Sequence, residues 1–416
     1  MKTRLFSTTL TSLLALLLAG CGQLVPAIQL THNTRSADRS EIEVTPGNPI
    51  PADEAETAAT LLPNGFASDT RDGMGLSFFA LDGLGLGEIR TPAQAWITKN
   101  TLHIAGPNTG SPDFPLIFFQ PPVEGNCDAC GLWMLDHDQV SQLIHFNELA
   151  ALIGVPGTDL VAFVERLPQT QSGILRSSMF LGNPSSLPAA QPVLVVDSSE
   201  SLAVFPVAIR MVGGVAVGIY YTQCPYGIGG EILFDPLQGL SYLDLSTNST
   251  NELLPAATTF SSLSSSQKLV AYSLRGMGVD GGVKIRDLAS GQEKFFQSLP
   301  DSDRGAGMVV ISPDDTRLAW LEARGSLSSD NFHATLRVAS MDGRSIREYP
   351  QENFFKTAKL GEAIWVTPLG WLDDSSLLVG VRTMGKDSQA ANIRLDVLTG
   401  ETTFLAPGLF NGFLYP

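Results

Sequence analysis

The chain has 416 residues, with 42 acidic against 26 basic side chains and a formal net charge of −16. Only 16% of its residues are charged, and 40 Gly and 26 Pro punctuate it. That acidity, with no basic stripe after residue 20, excludes nucleic acid as a partner, because phosphate binding needs clustered Lys and Arg. Few charges among many turn-formers suit an all-β chain.

Residues 1–20 read as a signal peptide. Lys2 and Arg4 make a charged start, and Leu10 to Leu18 is an apolar core too short to span a bilayer. The segment ends in Leu18-Ala19-Gly20-Cys21, which resembles the bacterial lipobox. The resemblance implies that the signal is cut before Cys21 and that Cys21 is acylated, carrying palmitate-type chains into a membrane. Gly22, rather than Asp, follows it, which implies no retention at an inner membrane. Residues 21–65 are then the lipidated N-terminus and a tether, rich in Pro, Ser, Thr and Asn and punctuated as in Gly47-Asn48-Pro49-Ile50-Pro51.

Residues 66–416 form the remaining domain. Residues 66–95 hold Gly-rich apolar stretches that suit an opening strand, and the apolar tail Gly408 to Tyr415 suits a closing one. Between them two hairpin signals alternate. The first is a polar turn leading into an apolar run, clearest in Val309-Val310-Ile311-Ser312-Pro313-Asp314-Asp315 followed by Leu318-Ala319-Trp320-Leu321. Pro presets φ in such a turn and Asp bonds back to local N–H groups. Its copies are anchored by Leu102, Leu160, Leu202, Leu269, Leu318 and Leu377. The second is a strand that closes on a turn needing positive φ, at Asp138, Asn183, Asn248, Gly291, Gly343 and Gly400. Six alternations of two hairpins predict six four-stranded units, the period of a β-propeller. The apolar spacing of Val140 to Ile153 predicts one short helix among the strands.

The repeat is similar to a known family. Ser312-Pro313-Asp314-Asp315 with Leu318-Ala319-Trp320 resembles the Ser-Pro-Asp-Gly turn of TolB-like, WD40-like propeller repeats, and Leu398-Thr399-Gly400-Glu401 is similar to that family's next hairpin. The resemblance covers about residues 256 to 405. Asp315 departs from it, standing where the family carries Gly. It implies six or seven blades and no single activity, since this scaffold carries binders and enzymes alike.

Little in the chain carries chemistry. Cys127-Asp128-Ala129-Cys130 lies downstream of a signal peptide, where disulfides persist. Three fates stay open: a local bridge between Cys127 and Cys130, pairing of one of them with Cys224, or a metal or redox site. Zinc wants four ligands, and only Cys224 and isolated histidines could complete the set. His32, His103, His137, His145 and His333 show no metal-binding spacing, and no G-x-S-x-G elbow exists. The acidic pairs Asp314-Asp315 and Asp373-Asp374 sit at matching turns, where Asp serves turn chemistry. No catalytic residue, metal site or cofactor is therefore assigned. The expectation is a membrane-anchored extracytoplasmic lipoprotein of a bacterial envelope, facing periplasm or exterior, with a non-catalytic binding or scaffolding propeller. Its partners are membrane lipid through Cys21 and a protein or glycan, with Tyr220, Tyr221 and Tyr226 as a candidate binding loop. The alternative is a propeller enzyme acting on envelope or environmental polysaccharide or peptide.

Overall fold

Two kinds of turn organise the chain. The computed structural model describes residues 62–70, 75–90, 116–120, 131–136, 139–145, 149–167, 173–183, 185–225, 237–274, 281–300, 305–325, 332–360, 363–383 and 388–415. Cys21, Leu102, Cys127, Cys130, Asp138 and Tyr226 lie outside the described residues.

In the first kind of turn, Ser312 N–H donates to Arg317 O at 2.9 Å and Asp315 N–H donates to Ser312 O at 3.0 Å. Ser264 with Leu269 and Val155 with Leu160 repeat the outer bond. The matching positions are thus Leu160, Leu269 and Arg317, one residue earlier than the apolar anchors suggested. Leu318 corresponds to Val161 and Val270, and all three are fully buried, as is Leu377, whereas Leu160 and Leu269 are only half-buried. The slip has a physical cause. These strands are apolar on both faces, so alternation cannot mark the register. Leu202 does not follow such a turn at all. The hairpin of its blade closes at Gly213-Gly214, whose φ values of 56° and 77° suit a two-residue primed turn.

The second kind holds at Asn248, Gly291, Gly343 and Gly400, with φ of 53°, 69°, 77° and 81°. The preceding Asp accepts from the turn: Asp396 Oδ1 takes the N–H groups of Leu398 and Thr399, as Asp287 Oδ1 takes those of Ala289 and Ser290.

The described strands make six sheets. The first holds β1 (Gly65–Asp69), β2 (Gly75–Ala80) and β3 (Gly85–Arg90), and is completed by the last strand of the chain. Next come β4 (Leu116–Gln120), β5 (Gly131–Asp136) and β6 (Gln139–His145) as a three-stranded sheet. Then follow β7 (Leu149–Gly154), β8 (Val161–Leu167), β9 (Leu175–Gly182) and β10 (Leu194–Ser198). A seven-stranded sheet contains β11 (Leu202–Val212), β12 (Val215–Pro225), β13 (Gln238–Asp244), β14 (Ser249–Leu263), β15 (Leu269–Leu274), β16 (Gly282–Asp287) and β17 (Glu293–Gln297). It is two blades sharing β14, which pairs with β13 up to Leu254 and with β15 from Thr258, only Thr259 pairing with both.

Two four-stranded sheets end the series. One is β18 (Gly305–Ile311), β19 (Arg317–Arg324), β20 (His333–Ser340) and β21 (Ile346–Pro350). The other is β22 (Ala363–Trp371), β23 (Ser376–Thr383), β24 (Ala390–Asp396) and β25 (Thr402–Pro407). Finally β26 (Phe410–Leu414) pairs with β1. The chain is an all-β propeller whose described strands fall into seven units. The additional unit is the one assembled from both ends of the chain.

Packing follows the ring. One apolar cluster joins Val204 and Ile219 to Val164 of the previous blade, another joins Leu318 and Trp320 to Val283 and Phe296, and a third joins Leu336 and Val338 to Val379 and Ile393. The seam is closed in the same way, because Phe66 of β1 packs with Leu372, Leu378 and Leu405 of the last blade. The inner strands β7, β11, β14, β18 and β22 all carry a register shift against their neighbours. Such bulges bend and twist a strand, as the wall of a narrow ring requires.

The helix predicted over Val140–Ile153 is replaced by β6 and β7. Its apolar spacing fitted either period, and the ladder from Gly131↔His145 to Asp136↔Gln139 decided for strand. A helix does occur elsewhere: α1 (Gln351–Ala358) links β21 to β22, buries Phe354 in the cluster between those blades and ends at Lys359 with φ of 54°.

Asp315 offers a direct test of the turn. It adopts φ of 58°, and its Oδ1 is buried without a partner. Burial pushes its carboxyl pKa up against the opposing bonds from Ser266 and Ser264. A carboxylate raised on folding destabilises the fold at neutral pH, and the penalty fades as pH falls through its folded value. Asn tolerates this φ and keeps an acceptor for Ser266. Asp315→Asn is expected to raise stability at pH 7 by about 0.5–1 kcal/mol, with less gain in acid. Thermal melts at pH 7 and pH 4 check it, and a lower midpoint for the variant at pH 7 would contradict the account.

Candidate functional site at the ring seam

Strand direction sorts the connections into two faces. The two turn types lie at one face. The ends of second strands and the starts of third strands lie at the other, which carries most of the longer connections. Ser68, Asp69 and Thr70 reach that second face at the end of β1, beside Gly408 and Leu409 from the close of the last blade. Gly408 is obligatory here: at φ of +90° a Cβ would stand 2.4 Å from Asp69 O.

Two buried asparagines fasten the seam. Asn392 Nδ2 donates to Ser68 Oγ and to Gly408 O, both at 2.9 Å. Asn411 Nδ2 donates to Asp69 Oδ1 at 2.5 Å and to Leu409 O at 3.1 Å. The Oδ1 atoms of both are buried without a hydrogen-bond partner. Beside them lies a cleft of about 470 Å³ lined by Asp69, Thr70, Ser77, Phe79, Glu88, Arg90 and Pro407. Phe79 is held by stacking on Phe66 at 5.5 Å. Glu88 stands across the ladder from Ser77, and Arg90 across from Gly75. The cleft thus offers two carboxylates, one guanidinium, two hydroxyls and a ring face. That set hydrogen-bonds and packs against a polar ligand.

The residues singled out by sequence fall elsewhere. Tyr220 and Tyr221 are not on a loop. They sit in β12, between β11 and β13, at 2% and 7% exposure. Tyr220 packs on Tyr242 at 5.0 Å, and burial pushes its phenol up to about 12. The reason is the Gly213-Gly214 hairpin, which extends β12 so far that the aromatic run becomes core. Cys224 is buried in the same strand. Asp314 and Asp373 are turn residues, as expected: Asp314 accepts from Ser312 Oγ and Thr316 N–H, and Asp373 from the N–H groups of Ser375 and Ser376. His333 Nδ1 is 3.6 Å from Glu352, and His145 is exposed on β6. Among the described residues no group of three or more His, Cys, Asp or Glu could hold a metal ion.

Sequence reading missed Asn392 and Asn411. Each is an amide inside an apolar run, a signal that was present but has no motif. It also missed Glu322, the carboxylate that follows Leu318-Ala319-Trp320-Leu321 and is fully buried against Arg337 at 2.7 Å.

The strand order and the seam define a β-propeller whose last strand completes its first blade. No family model matches the chain, and no curated protein matches it. Among solved structures it is similar to a puromycin-hydrolysing peptidase from Mycobacterium tuberculosis, with TM-score 0.51 and 12% identity, covering 88% of this chain and 56% of that one. It is also similar to the propeller domain of the Trilobed protease from Pyrococcus furiosus, with TM-score 0.46 and 11% identity, covering 82% of this chain and 98% of that one. TolB from Acinetobacter baumannii is a third, with TM-score 0.39 and 12% identity over 84% of this chain and 82% of that one. At these identities the likeness shows the fold alone.

Proposed function

We propose that this chain is a lipid-anchored lipoprotein of a bacterial envelope whose propeller binds a protein or glycan without chemistry. The observation that supports the binding reading is the composition of the seam cleft. Both its carboxylates and its guanidinium come from one blade, and six of its seven residues belong to β1–β3 and their margin. That is the arrangement of a recognition wall. The enzymatic alternative asks for acids or histidines converging from several blades. The anchor rests on Cys21, whose acyl chains contribute about 0.8 kcal/mol per buried CH₂, so that two or more hold stably.

One experiment addresses both halves. Full-length protein recovered from its native membranes should give an N-terminal peptide beginning at Cys21 with acyl mass. The same preparation should retain an envelope protein or glycan that Glu88→Ala/Arg90→Ala releases. An unmodified N-terminus refutes the anchor, and equal retention by the cleft variant refutes the site.

A further inference from the structure

Arg382 lies near the end of β23 and Trp365 near the start of β22, and the two residues face each other in the ladder. The guanidinium carbon lies 4.2 Å from the centre of the Trp365 ring. That ring is itself fixed, because its Nε1 donates to Thr367 Oγ1 at 2.6 Å. The guanidinium is therefore held over a fixed ring, half-buried on the last blade.

Its electrostatic position is unusual. Arg337 faces Glu322, Arg176 faces Asp197 and Arg344 faces Asp342. Arg382 has no carboxylate and no hydrogen-bond acceptor among the described residues. Burial lowers its pKa, with no opposing charge among the described residues. A cation taken from water without a counter-ion is costly. The indole face compensates in part, since a ring attracts a cation electrostatically, but it leaves the N–H donor edge unused. A planar fork held over a ring, its donors unbonded to any described residue, matches one chemistry above others, the bidentate carboxylate.

Placement agrees with this. Val381, the neighbour of Arg382, pairs with Ala391, and Ala391 pairs with Pro407, which lines the seam cleft. The arginine thus stands on the same sheet end as the cleft, two strands further in. The chain's net charge of −16 repels multiply charged anions at long range. A single carboxylate suffers least from that field.

We propose that Arg382, clamped by Trp365, is the receptor for a singly charged carboxylate on the ligand of this face. This rests on the binding reading given above and specifies the group recognised. The carboxylate could be the C-terminus of a peptide or the acid group of a sugar, and the probes separate them.

The test uses the purified full chain and isothermal titration calorimetry with four probes: N-acetyl-trialanine, its C-terminal amide, glucuronic acid and inorganic phosphate. Saturable binding is expected for one or both of the acids, at least tenfold weaker for the amide and for phosphate. Arg382→Gln should weaken the acid at least tenfold while the melting temperature stays near that of the parent. Arg382→Lys keeps the charge without the fork and should recover only part of the affinity. Trialanine alone identifies a peptide terminus, and glucuronic acid alone identifies an acidic sugar. Absence of binding by both acids overturns the proposal, as does equal binding by acid and amide, tighter binding of phosphate, or unchanged binding by folded Arg382→Gln. A variant that loses the acids yet keeps the captured envelope partner refutes Arg382 as its receptor and leaves the binding module standing.

Discussion

Replacing Arg337 by Met should destabilise the propeller by about 3–5 kcal/mol, the cost of leaving a buried carboxylate without its partner. Glu322 is fully buried. Its Oε1 accepts from Arg337 Nη1 at 2.7 Å and from Trp320 Nε1 at 2.9 Å, and its Oε2 accepts from Leu299 N–H at 3.0 Å. Arg337 also donates to Gln297 O at 2.9 Å and lies 5.1 Å from the Trp320 ring centre. Gln297 ends β17, and Leu299 belongs to the link leading into β18. The pair therefore ties one blade to the next across that link. Arg337→Met removes the cation and leaves Glu322 sealed in place. The double change Glu322→Gln/Arg337→Met removes both charges, and it should regain most of the loss because Gln still accepts from Trp320 or Leu299. Urea unfolding of the parent, the two single variants and the double variant measures the coupling. An Arg337→Met variant within about 1 kcal/mol of the parent would show that the pair is not what joins these blades.

Much of the architecture was legible because it is set by local constraint. Asn248, Gly291, Gly343 and Gly400 are readable from sequence since few residue types accept positive φ. The register of Leu269 was not legible, because strands enclosed by neighbouring blades are apolar on both faces and a one-residue slip leaves no trace in composition. The Gly213-Gly214 hairpin was overlooked for a related reason. The polar run before Leu202 resembles the repeated turn in composition, although it joins β10 to β11. The seventh unit was hidden more deeply. Its inner strand comes from residues 410–414 and its other three from residues 65–90, so no local period contains it. The seam site shares that difficulty: Asn392 and Ser68 bond across 324 positions, and no motif can hold them. What decided Tyr220 and Tyr221 was strand length, which neither propensity nor pattern fixes.

The largest effect is expected at the seam. Removing residues 409–416 should abolish the cooperative unfolding transition or lower it by far more than 10 °C. The segment carries β26, whose Leu414, Phe413 and Gly412 pair with Gly65, Phe66 and Ala67 of β1. Leu414 is fully buried in the cluster that joins the first three units, and Phe413 lies over Gly370 of the last blade. Phe410 and Tyr415 pack edge-on against Phe413 at 4.9 and 6.5 Å. Desolvation pushes the phenol of the half-buried Tyr415 up to about 12. Truncating a single buried Leu or Phe costs about 2–5 kcal/mol. Losing one fully buried and three half-buried side chains together with a ladder is comparable with the whole stability of a domain, about 5–15 kcal/mol. The truncation also leaves the edge of β1 open, and an open edge recruits strands from other molecules. The truncated chain should therefore elute as aggregates. A peptide spanning residues 409–416, added in excess, should restore both the monomer and the transition by adding itself as the missing strand. A truncated chain that melts within about 4 °C of the parent, a loss of only 1–2 kcal/mol, would show that the ring stands without its last strand and that the seam is a contact of convenience.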